Sequence, residues 1–221
     1  MMNEQTVTAV VPVRAGSKRL PNKNILPFGN TNLLIHKVRQ LKQVKNIDNI
    51  VVTSESDIML EMAEKEGVSI HKRDALFCDD TTLTHRHVAQ NIQGDHILWA
   101  CCVCPILSPT TYEKAIDTYL EKVVVKKDYD SLVSVRLFKE YIWDENGPLN
   151  YKLGNGHVIS QHLPDWFVVS NGIYMLPRQL MIEKNYFLGD KPYKFVVSKK
   201  EAVDIDDAED FAIAKALLNI K

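Results

Sequence analysis

The sequence lacks any apolar run that approaches the roughly 18 residues needed to cross a bilayer, and its N-terminus lacks a secretory pattern. It also lacks an excess of either charge, because 27 Lys and Arg oppose 28 Asp and Glu. A formal net charge of -1 gives no general attraction to nucleic acid or to an anionic membrane. We therefore expect a cytoplasmic globular protein that binds no nucleic acid and does not insert into membranes.

Cysteine is scarce, and its four residues form no spaced disulfide framework (Cys78, Cys101, Cys102 and Cys104). A zinc site that includes His85 or His87 has little support, because no Cys-x-x-Cys pair is matched by a second pair. Residues 101–104 fall in a predicted strand, in which Cys102 and Cys104 face opposite to Cys101. The cysteines are therefore interpreted as buried, small apolar side chains.

The common phosphate-binding motifs are absent, since the sequence has neither a Walker Gly-Lys-Ser/Thr pattern nor a Gly-x-Gly-x-x-Gly. Instead, residues 14–24, called here the basic loop, hold four cations with one Gly, one Ser and two Asn. The apolar run at residues 7–13 predicts a buried parallel strand before this loop. A small turn with free N–H groups and converging cations suits a polyphosphate, and a solvated basic loop is the alternative.

Strands and helices alternate over residues 7–135, which predicts right-handed βαβ units and a Rossmann-like, mostly parallel sheet flanked by helices. The predicted strands are 7–13, 47–53, 68–71, 96–103 and 130–135, and the predicted helices are 33–44, 58–66, 85–92 and 112–124. On the first helix Lys37, Arg39, Gln40 and Lys42 are assigned to the polar face. Thr110 or Thr111 is the predicted N-terminal cap of the helix at 112–124. Ligands of such sheets bind beyond the carboxyl ends of the strands, where the basic loop falls.

The pattern changes after residue 136. Residues 137–168 contain clustered aromatic side chains with Gly and Pro between them, which predicts hairpins and loops (Tyr141, Trp143, Tyr151 and Trp166). Such aromatics suit a subunit interface or local packing. Strands are predicted at 168–176 and 194–197, and a helix at 208–218. We expect one domain over residues 1–221, with 137–168 as an inserted subregion that contacts a second subunit.

The segment Asp204-Ile205-Asp206 is the second feature of chemical interest. In an extended chain the two carboxylates face the same way while Ile205 packs behind them. Paired carboxylates together with substrate phosphates are a frequent magnesium site. The alternative is a helix start, with Asp206 or Asp207 as the N-cap.

The basic loop closely resembles the N-terminal signature of the CMP-sugar synthetases, above all the acylneuraminate cytidylyltransferases. The resembling residues there are Arg14, Gly16, Ser17, Lys18, Pro21, Lys23 and Asn24. Further segments match in order along the chain: 51–56, Arg73-Asp74 through Asp79-Asp80-Thr81, Leu163-Pro164, Asn171-Gly172-Ile173-Tyr174 and Val203-Asp204-Ile205-Asp206. The resemblance covers about residues 7–215. It implies a nucleotidyltransferase fold and a homodimer.

The resemblance also implies an activity, namely transfer of CMP from CTP to the anomeric hydroxyl of a 2-keto-3-deoxy sugar acid with release of pyrophosphate. The implied catalytic residues are Lys18, at the α-phosphate, Arg14 and Asp206. The implied substrate-binding residues are Arg14, Gly16, Ser17, Lys18, Lys23 and Asn24 for the nucleotide, Arg73, Asp80 and Thr81 for cytosine, and Gln161 and Asn171. Asp204 and Asp206 would ligate Mg²⁺.

Two departures from the family pattern fall in the implied sugar site. Cys101-Cys102-Val103-Cys104-Pro105 replaces a Gln-Pro-Thr-Ser-Pro run, and Ser160 replaces an arginine. The acceptor is therefore left open between sialic-acid-like and Kdo-like sugars of surface glycans. The alternatives are a nucleotidyltransferase for a sugar 1-phosphate or other phosphorylated alcohol, and a catalytically silent nucleotide-binding subunit. The presence of Lys18, Asp204 and Asp206 argues against the silent subunit.

Overall fold

The structure is a computed structural model that describes residues 5–79 and 81–218. Its strands are β1 (Val7–Pro12), β2 (Pro27–Phe28), β3 (Thr31–Asn32), β4 (Asn49–Ser54), β5 (Ser69–Lys72), β6 (His96–Trp99), β7 (Ser131–Phe138), β8 (Trp143–Asp144), β9 (Gly147–Pro148), β10 (Trp166–Pro177) and β11 (Pro192–Val196). Its α-helices are α1 (Leu33–Leu41), α2 (Asp57–Lys65), α3 (Leu76–Asp79), α4 (Thr81–Asn91), α5 (Pro109–Tyr119), α6 (Arg178–Lys184) and α7 (Ala208–Leu218).

The central sheet has seven strands in the order β11-β7-β10-β6-β1-β4-β5. β10 runs antiparallel to its neighbours β6 and β7, and the other neighbouring pairs are parallel. This confirms the predicted α/β class with a mostly parallel sheet. None of the helices within the described ranges is long and apolar enough to span a bilayer.

β1 lies inside the sheet because its side chains are apolar on both faces. Val7, Ala9, Val10 and Val11 are at most 2% exposed, as expected for a strand covered by helices on both sides. β1 pairs with β4 on one side and with β6 on the other. The basic loop therefore leaves the sheet at its carboxyl edge, between two neighbouring strand ends.

β6 is shorter than predicted, since it ends at Trp99 rather than at residue 103. Beyond Ala100, whose N–H still bonds to the Val10 carbonyl, the backbone has partners outside the sheet: the Val103 carbonyl accepts from the Ile205 N–H at 2.9 Å, and the Cys104 carbonyl from Lys37 Nζ at 2.9 Å. The prediction that Cys101–Cys104 lie in a strand is therefore wrong, although Cys102 and Cys104 do pack in one core cluster and Cys101 against another. The cysteines are free thiols, buried or partly buried, and no described residues form a His, Cys or acid cluster able to hold a metal with three or more ligands.

Several helix predictions also need correction. The Ser108 hydroxyl, rather than Thr110 or Thr111, caps α5, because Ser108 Oγ accepts from the Thr111 N–H at 3.1 Å and Pro109 follows it. A π-helical turn, Leu120–Val125, continues α5. The stretch between the predicted strand at 68–71 and the predicted helix at 85–92 contains α3 and the start of α4, and α6 was not predicted. Its seven residues follow β10 directly, so no loop marks its start.

The polar face assigned to α1 is wrong for two residues. Lys37 is 0% exposed and Gln40 is 8% exposed. Both side chains bond to groups of the loop that follows β6, so the apolar periodicity of the sequence does not show which polar side chains are buried.

The segment between β7 and β10 contains the β8–β9 hairpin and the 3-10 turns Gly154–Gly156 and Ser160–His162. Some of its aromatic side chains pack on each other, as the rings of Tyr141 and Tyr151 do with centroids 4.9 Å apart. Trp143 is 56% exposed. β10 has an irregularity between Val169 and Tyr174, which brings Asn171 and Gly172 out of regular pairing.

Replacing Gly172 with alanine is expected to lower the free energy of unfolding by about 1–3 kcal/mol, the usual cost of overpacking. A Cβ at this position would lie 2.2 Å from Leu107 Cδ1 and 3.3 Å from Cys104 Cβ. Urea unfolding of Gly172→Ala measures the effect. In a Leu107→Ala background, Gly172→Ala should cost much less; an equal cost in both backgrounds would contradict this packing explanation.

Candidate active site

A cavity of about 1100 Å³ lies at the carboxyl edge of the sheet. The cavity is lined by residues of the basic loop, of the end of β6 and the segment after it, of the end of α6 and the segment after it, and by Asp206 (residues include Arg14, Lys18, Trp99, Cys101, Tyr186 and Asp206). This is the place where ligands of open α/β sheets bind. Lys18 and Asp206, almost 190 positions apart in sequence, therefore border the same space.

The backbone of the basic loop is held in a compact turn. Gly16 has φ 76°, a conformation that side chains with a Cβ rarely adopt. The buried Asn24 donates from Nδ2 to the Arg14 carbonyl at 3.0 Å. The Ala15 N–H donates to Glu55 Oε1 at 2.7 Å. Burial raises the pKa of Glu55, but hydrogen bonds from Cys78 and Ala15 hold it below its ordinary value, so an ionised carboxylate anchors the loop.

The four cations of the basic loop have different environments. Lys18 is exposed and makes no hydrogen bond or ion pair with residues 5–79 or 81–218. Lys23 Nζ donates to the Ile205 carbonyl at 2.6 Å and lies 3.7 Å from Asp206 Oδ1. Arg19 pairs with the same Asp206 oxygen at 2.7 Å. Arg14 donates to the Cys78 carbonyl at 3.3 Å. The loop and the acid pair are thus in direct contact.

The two acids are held by the backbone and side chain of the residue between them. Ile205 is 0% exposed and packs with Phe28 and Leu33, as expected for the residue behind a pair of outward-facing carboxylates. Its N–H donates to the Val103 carbonyl at 2.9 Å. Because Lys23 donates to the Ile205 carbonyl, both the N–H and the carbonyl of Ile205 are hydrogen-bonded.

Asp204 has an unusual environment for a carboxylate. Its Oδ2 accepts from Asn171 Nδ2, and Asn171 Oδ1 accepts in turn from the Tyr174 hydroxyl at 2.6 Å. Its Oδ1 is buried and has no hydrogen-bond partner among the residues that the structure describes. Burial raises the pKa of the Asp204 carboxyl, the bond from Asn171 opposes the rise, and the Asp206 charge adds to it.

The carboxylate oxygens of Asp204 and Asp206 fit Mg²⁺. A buried carboxylate oxygen without a protein donor, two residues from a second carboxylate, is what a hard cation needs. Mg²⁺ is usually bound by one or two carboxylates plus substrate phosphates, so the absence of a third acidic ligand among the described residues is compatible with it.

The helix-cap alternative for this segment applies to Asp207. Asp207 Oδ1 accepts from the N–H groups of Glu209 and Asp210 at 2.9 and 3.0 Å, and Asp210 accepts from the Asp206 and Asp207 N–H groups. This reciprocal pair caps α7. The Asp206 side chain is therefore not needed as the cap and faces the cations of the basic loop.

Arg73 borders the cavity, but its guanidinium is buried and engaged. It donates to the Val13 carbonyl at 2.9 Å, to Thr53 Oγ1 at 3.2 Å and to Cys78 Sγ at 2.9 Å. These bonds join the carboxyl ends of β1 and β4. Asp80 lies outside the described residues, and Thr81 begins α4.

Two implied substrate residues lie apart from the cavity wall. Gln161 belongs to a 3-10 turn, and its carbonyl accepts from Lys139 Nζ at 2.9 Å. Asn171 reaches the site only through Asp204.

Aromatic side chains that line the cavity were not predicted from the sequence. Tyr186 and Phe187 stack with ring centroids 4.2 Å apart, and His85 lies between Phe187 and Trp99, at 4.8 and 5.0 Å. Because α6 was not predicted, the sequence did not indicate that Tyr186 and Phe187, which follow it, reach the cavity. The cavity lining thus combines the cations of the basic loop with a group of aromatic side chains.

A family model described as cytidylyltransferase matches residues 8–146. The chain belongs to the cytidylyltransferase family. The match spans β1, the basic loop and the parallel half of the sheet, and it confirms the resemblance found from the motifs.

Individual relatives of this cytidylyltransferase are distant. An N-acylneuraminate cytidylyltransferase of Escherichia coli is 25% identical over 94% of the chain and 51% of its own length, so the chain spans about half of that relative. A pseudaminic acid cytidylyltransferase of Campylobacter jejuni is 24% identical over 96% of the chain and 95% of its own length. A solved CMP-2-keto-3-deoxy-manno-octonic acid synthetase, in complex with CTP, superposes with a TM-score of 0.69 at 14% identity, covering 97% of this chain and 98% of that one.

Proposed function

We propose that this cytidylyltransferase moves CMP from CTP to the anomeric hydroxyl of a 2-keto-3-deoxy sugar acid in a Mg²⁺-dependent reaction, for surface-glycan synthesis. The observation that carries the proposal is one cavity bordered by both Lys18 and Asp206. Two residues before Asp206, the buried Oδ1 of Asp204 has no hydrogen-bond partner within the described part of the chain. The names of the relatives support a sugar acid as acceptor.

The reaction forms a bond between the acceptor hydroxyl oxygen and the α-phosphorus and breaks the bond from that phosphorus to the bridging oxygen. Pyrophosphate leaves, and the hydroxyl proton is lost. Such transfers depend on positioning and charge neutralisation more than on covalent help from the protein. Arg14, Ser17 and Lys23 would bind the triphosphate, and the exposed Lys18 ammonium would meet charge at the α-phosphate.

Asp204 and Asp206 would hold Mg²⁺, which when bound supplies charge neutralisation and makes a hydroxyl more acidic. Asn171 keeps one Asp204 oxygen in place, and Lys23 fixes the peptide between the acids. The donors of Arg73 are already bonded to Val13, Thr53 and Cys78. Arg73 would therefore contribute to the cytosine site indirectly, by holding Val13 at the start of the basic loop.

The experiment that tests this function measures pyrophosphate release with CTP, Mg²⁺ and separate acceptors: nonulosonic acids, an octulosonic acid and sugar 1-phosphates. We expect release with at least one sugar acid, strong preference for CTP over ATP and GTP, and loss of release in EDTA. Release only with a sugar 1-phosphate would replace the proposed acceptor class. CTP binding without release for any acceptor would instead favour a nucleotide-binding subunit.

We also propose that the protein is a homodimer. The paired ends of β7 and β10 form a ribbon with exposed apolar side chains on both faces, Leu137 and Val169 on one and Trp166 and Val168 on the other, each 37–49% exposed. Apolar side chains exposed together on adjacent strands are uncommon on monomers and favour a subunit contact. A second copy presenting the same ribbon would cover it in a two-fold arrangement.

Val168→Asp is expected to weaken self-association by about 30-fold or more, because a charge would be buried at the centre of the contact. Sedimentation equilibrium at micromolar concentration measures it. Ile58→Asp, at an exposed position of α2, is the matched control and should leave the dimer intact. A monomeric wild type, or an unchanged Val168→Asp dimer, would refute the contact.

A further inference from the structure

Lys37 is a lysine in the core of the protein. Its side chain is 0% exposed, and its Nζ donates to Gln40 Oε1 at 2.6 Å, to the Tyr112 hydroxyl at 2.7 Å and to the Cys104 carbonyl at 2.9 Å. None of the ion pairs within the described residues includes it. An ammonium group is thus buried with neutral acceptors from three different segments.

Neighbouring side chains of α1 bond to the same segment after β6. His36 Nε2 lies 3.0 Å from the Pro105 carbonyl, and Gln40 Nε2 donates to the carbonyls of Pro105 and Leu107. Together with the bond from Lys37 to Cys104, these contacts occupy carbonyls of residues 104, 105 and 107. We call residues 100–107 the cavity-floor loop. α1 therefore holds this loop through three polar side chains.

The cavity-floor loop in turn holds the acid pair. The Val103 carbonyl, one residue before the carbonyl bound by Lys37, accepts from the Ile205 N–H at 2.9 Å. Tyr112, which accepts from Lys37, donates to the Gly172 carbonyl at 3.4 Å, and the residue before Gly172 is the Asn171 that bonds to Asp204. Two routes therefore lead from Lys37 to the carboxylates.

We propose that Lys37 is a positioning residue for the metal-binding acids, acting through the cavity-floor loop on Asp206 and through Tyr112 and Gly172 on Asp204. The inference rests on the proposed function only in assigning a divalent cation to these acids. Lys37 touches neither acid, so its effect is on their placement and not on the reacting atoms.

The cost of burying this group supports a specific role. Burial lowers the pKa of Lys37 to about 8. A methionine would fill similar space without removing a charge from water. What a methionine lacks is three donors that can reach a carbonyl, an amide and a hydroxyl together.

The test measures Mn²⁺ affinity of the CTP-bound full chain by electron paramagnetic resonance, and CTP affinity in EDTA by calorimetry. We expect Lys37→Met to weaken Mn²⁺ binding about tenfold, as changes around metal ligands commonly do, while CTP affinity in EDTA changes less than threefold. The matched control is Lys42→Met, at the C-cap of α1, where the exposed side chain bonds to the Glu66 carbonyl. It should leave both affinities unchanged.

Unchanged Mn²⁺ affinity in folded Lys37→Met would overturn the proposal, and so would an equal loss of Mn²⁺ and CTP affinity. If Lys37→Met does not fold, Tyr112→Phe is the second variant, because it removes only one acceptor of the ammonium and the link to Gly172. We expect Tyr112→Phe to lose at least threefold in Mn²⁺ affinity. No loss would overturn the proposal.

The outcome is separable from that of the proposed function. If wild type binds Mn²⁺ with CTP but no sugar acid gives pyrophosphate, the acceptor assignment fails and the role of Lys37 can still be supported by the variants. If the wild-type CTP complex binds no Mn²⁺, both fail.

Discussion

Lys18→Ala is expected to lower the rate of pyrophosphate release at saturating CTP by about 10²- to 10³-fold, the usual loss when one group that stabilises transition-state charge is removed. Lys18 is exposed and has no partner within the described residues, so no other group loses a contact. The free energy of unfolding should therefore stay within about 0.5 kcal/mol of wild type.

CTP binding should survive this substitution, because Arg14, Lys23 and the loop backbone remain. Single-turnover pyrophosphate release and calorimetric titration with CTP separate the two effects. Lys45→Ala removes an exposed cation just before β4, at the opposite end of the strands, and should change neither quantity. If Lys18→Ala turned over at the wild-type rate, Lys18 would have no role in the reaction. If CTP affinity fell by the same factor as the rate of pyrophosphate release, its role would be limited to binding CTP.

Asp206→Asn is expected to have an effect of similar size, about 10²- to 10³-fold on turnover, because it removes one of two proposed carboxylate ligands of Mg²⁺. Its side chain is 44% exposed and pairs with Arg19, which is itself 68% exposed. Pairs this exposed contribute little to stability, so the melting temperature should change by only a few degrees. Turnover measured over a range of Mg²⁺ concentrations should show a raised Mg²⁺ requirement.

Asp207→Asn and Asp207→Ala are the matched comparison, since Asp207 caps α7 and does not bond to the cations of the basic loop. Asp207→Ala should lose about 1 kcal/mol of stability and keep turnover within threefold, and Asp207→Asn should change little. If Asp206→Asn instead lost stability and turnover to the same degree, Asp206 would be a helix-start residue and the metal assignment would fail.

The parts of the site that could be predicted are those with a local sequence pattern. The strand before the basic loop is predictable because a parallel strand buried on both faces has no polar alternation, and Val7 to Val11 show none. The Asp204-Ile205-Asp206 segment is predictable because extended chains have a period of two, which Ile205 obeys.

The parts that could not be predicted depend on contacts between distant segments. Lys37 resembles any exposed helix residue until the Cys104 carbonyl and Tyr112 are placed beside it. The apolar run of β6 continues past Trp99, but after the Ala100 N–H, which still bonds to the Val10 carbonyl, the chain leaves the sheet and the Val103 carbonyl bonds to Ile205. Tyr186 and Phe187 reach the cavity through a seven-residue helix without a loop before it.

The ion pair between Arg19 and Asp206 has a consequence for the order of events. On the proposed function, a divalent ion bound at Asp206 Oδ1 would compete with the Arg19 guanidinium, and a guanidinium released from the carboxylate would be available to phosphate. We therefore expect binding of the ion and binding of the nucleotide to be linked through Arg19.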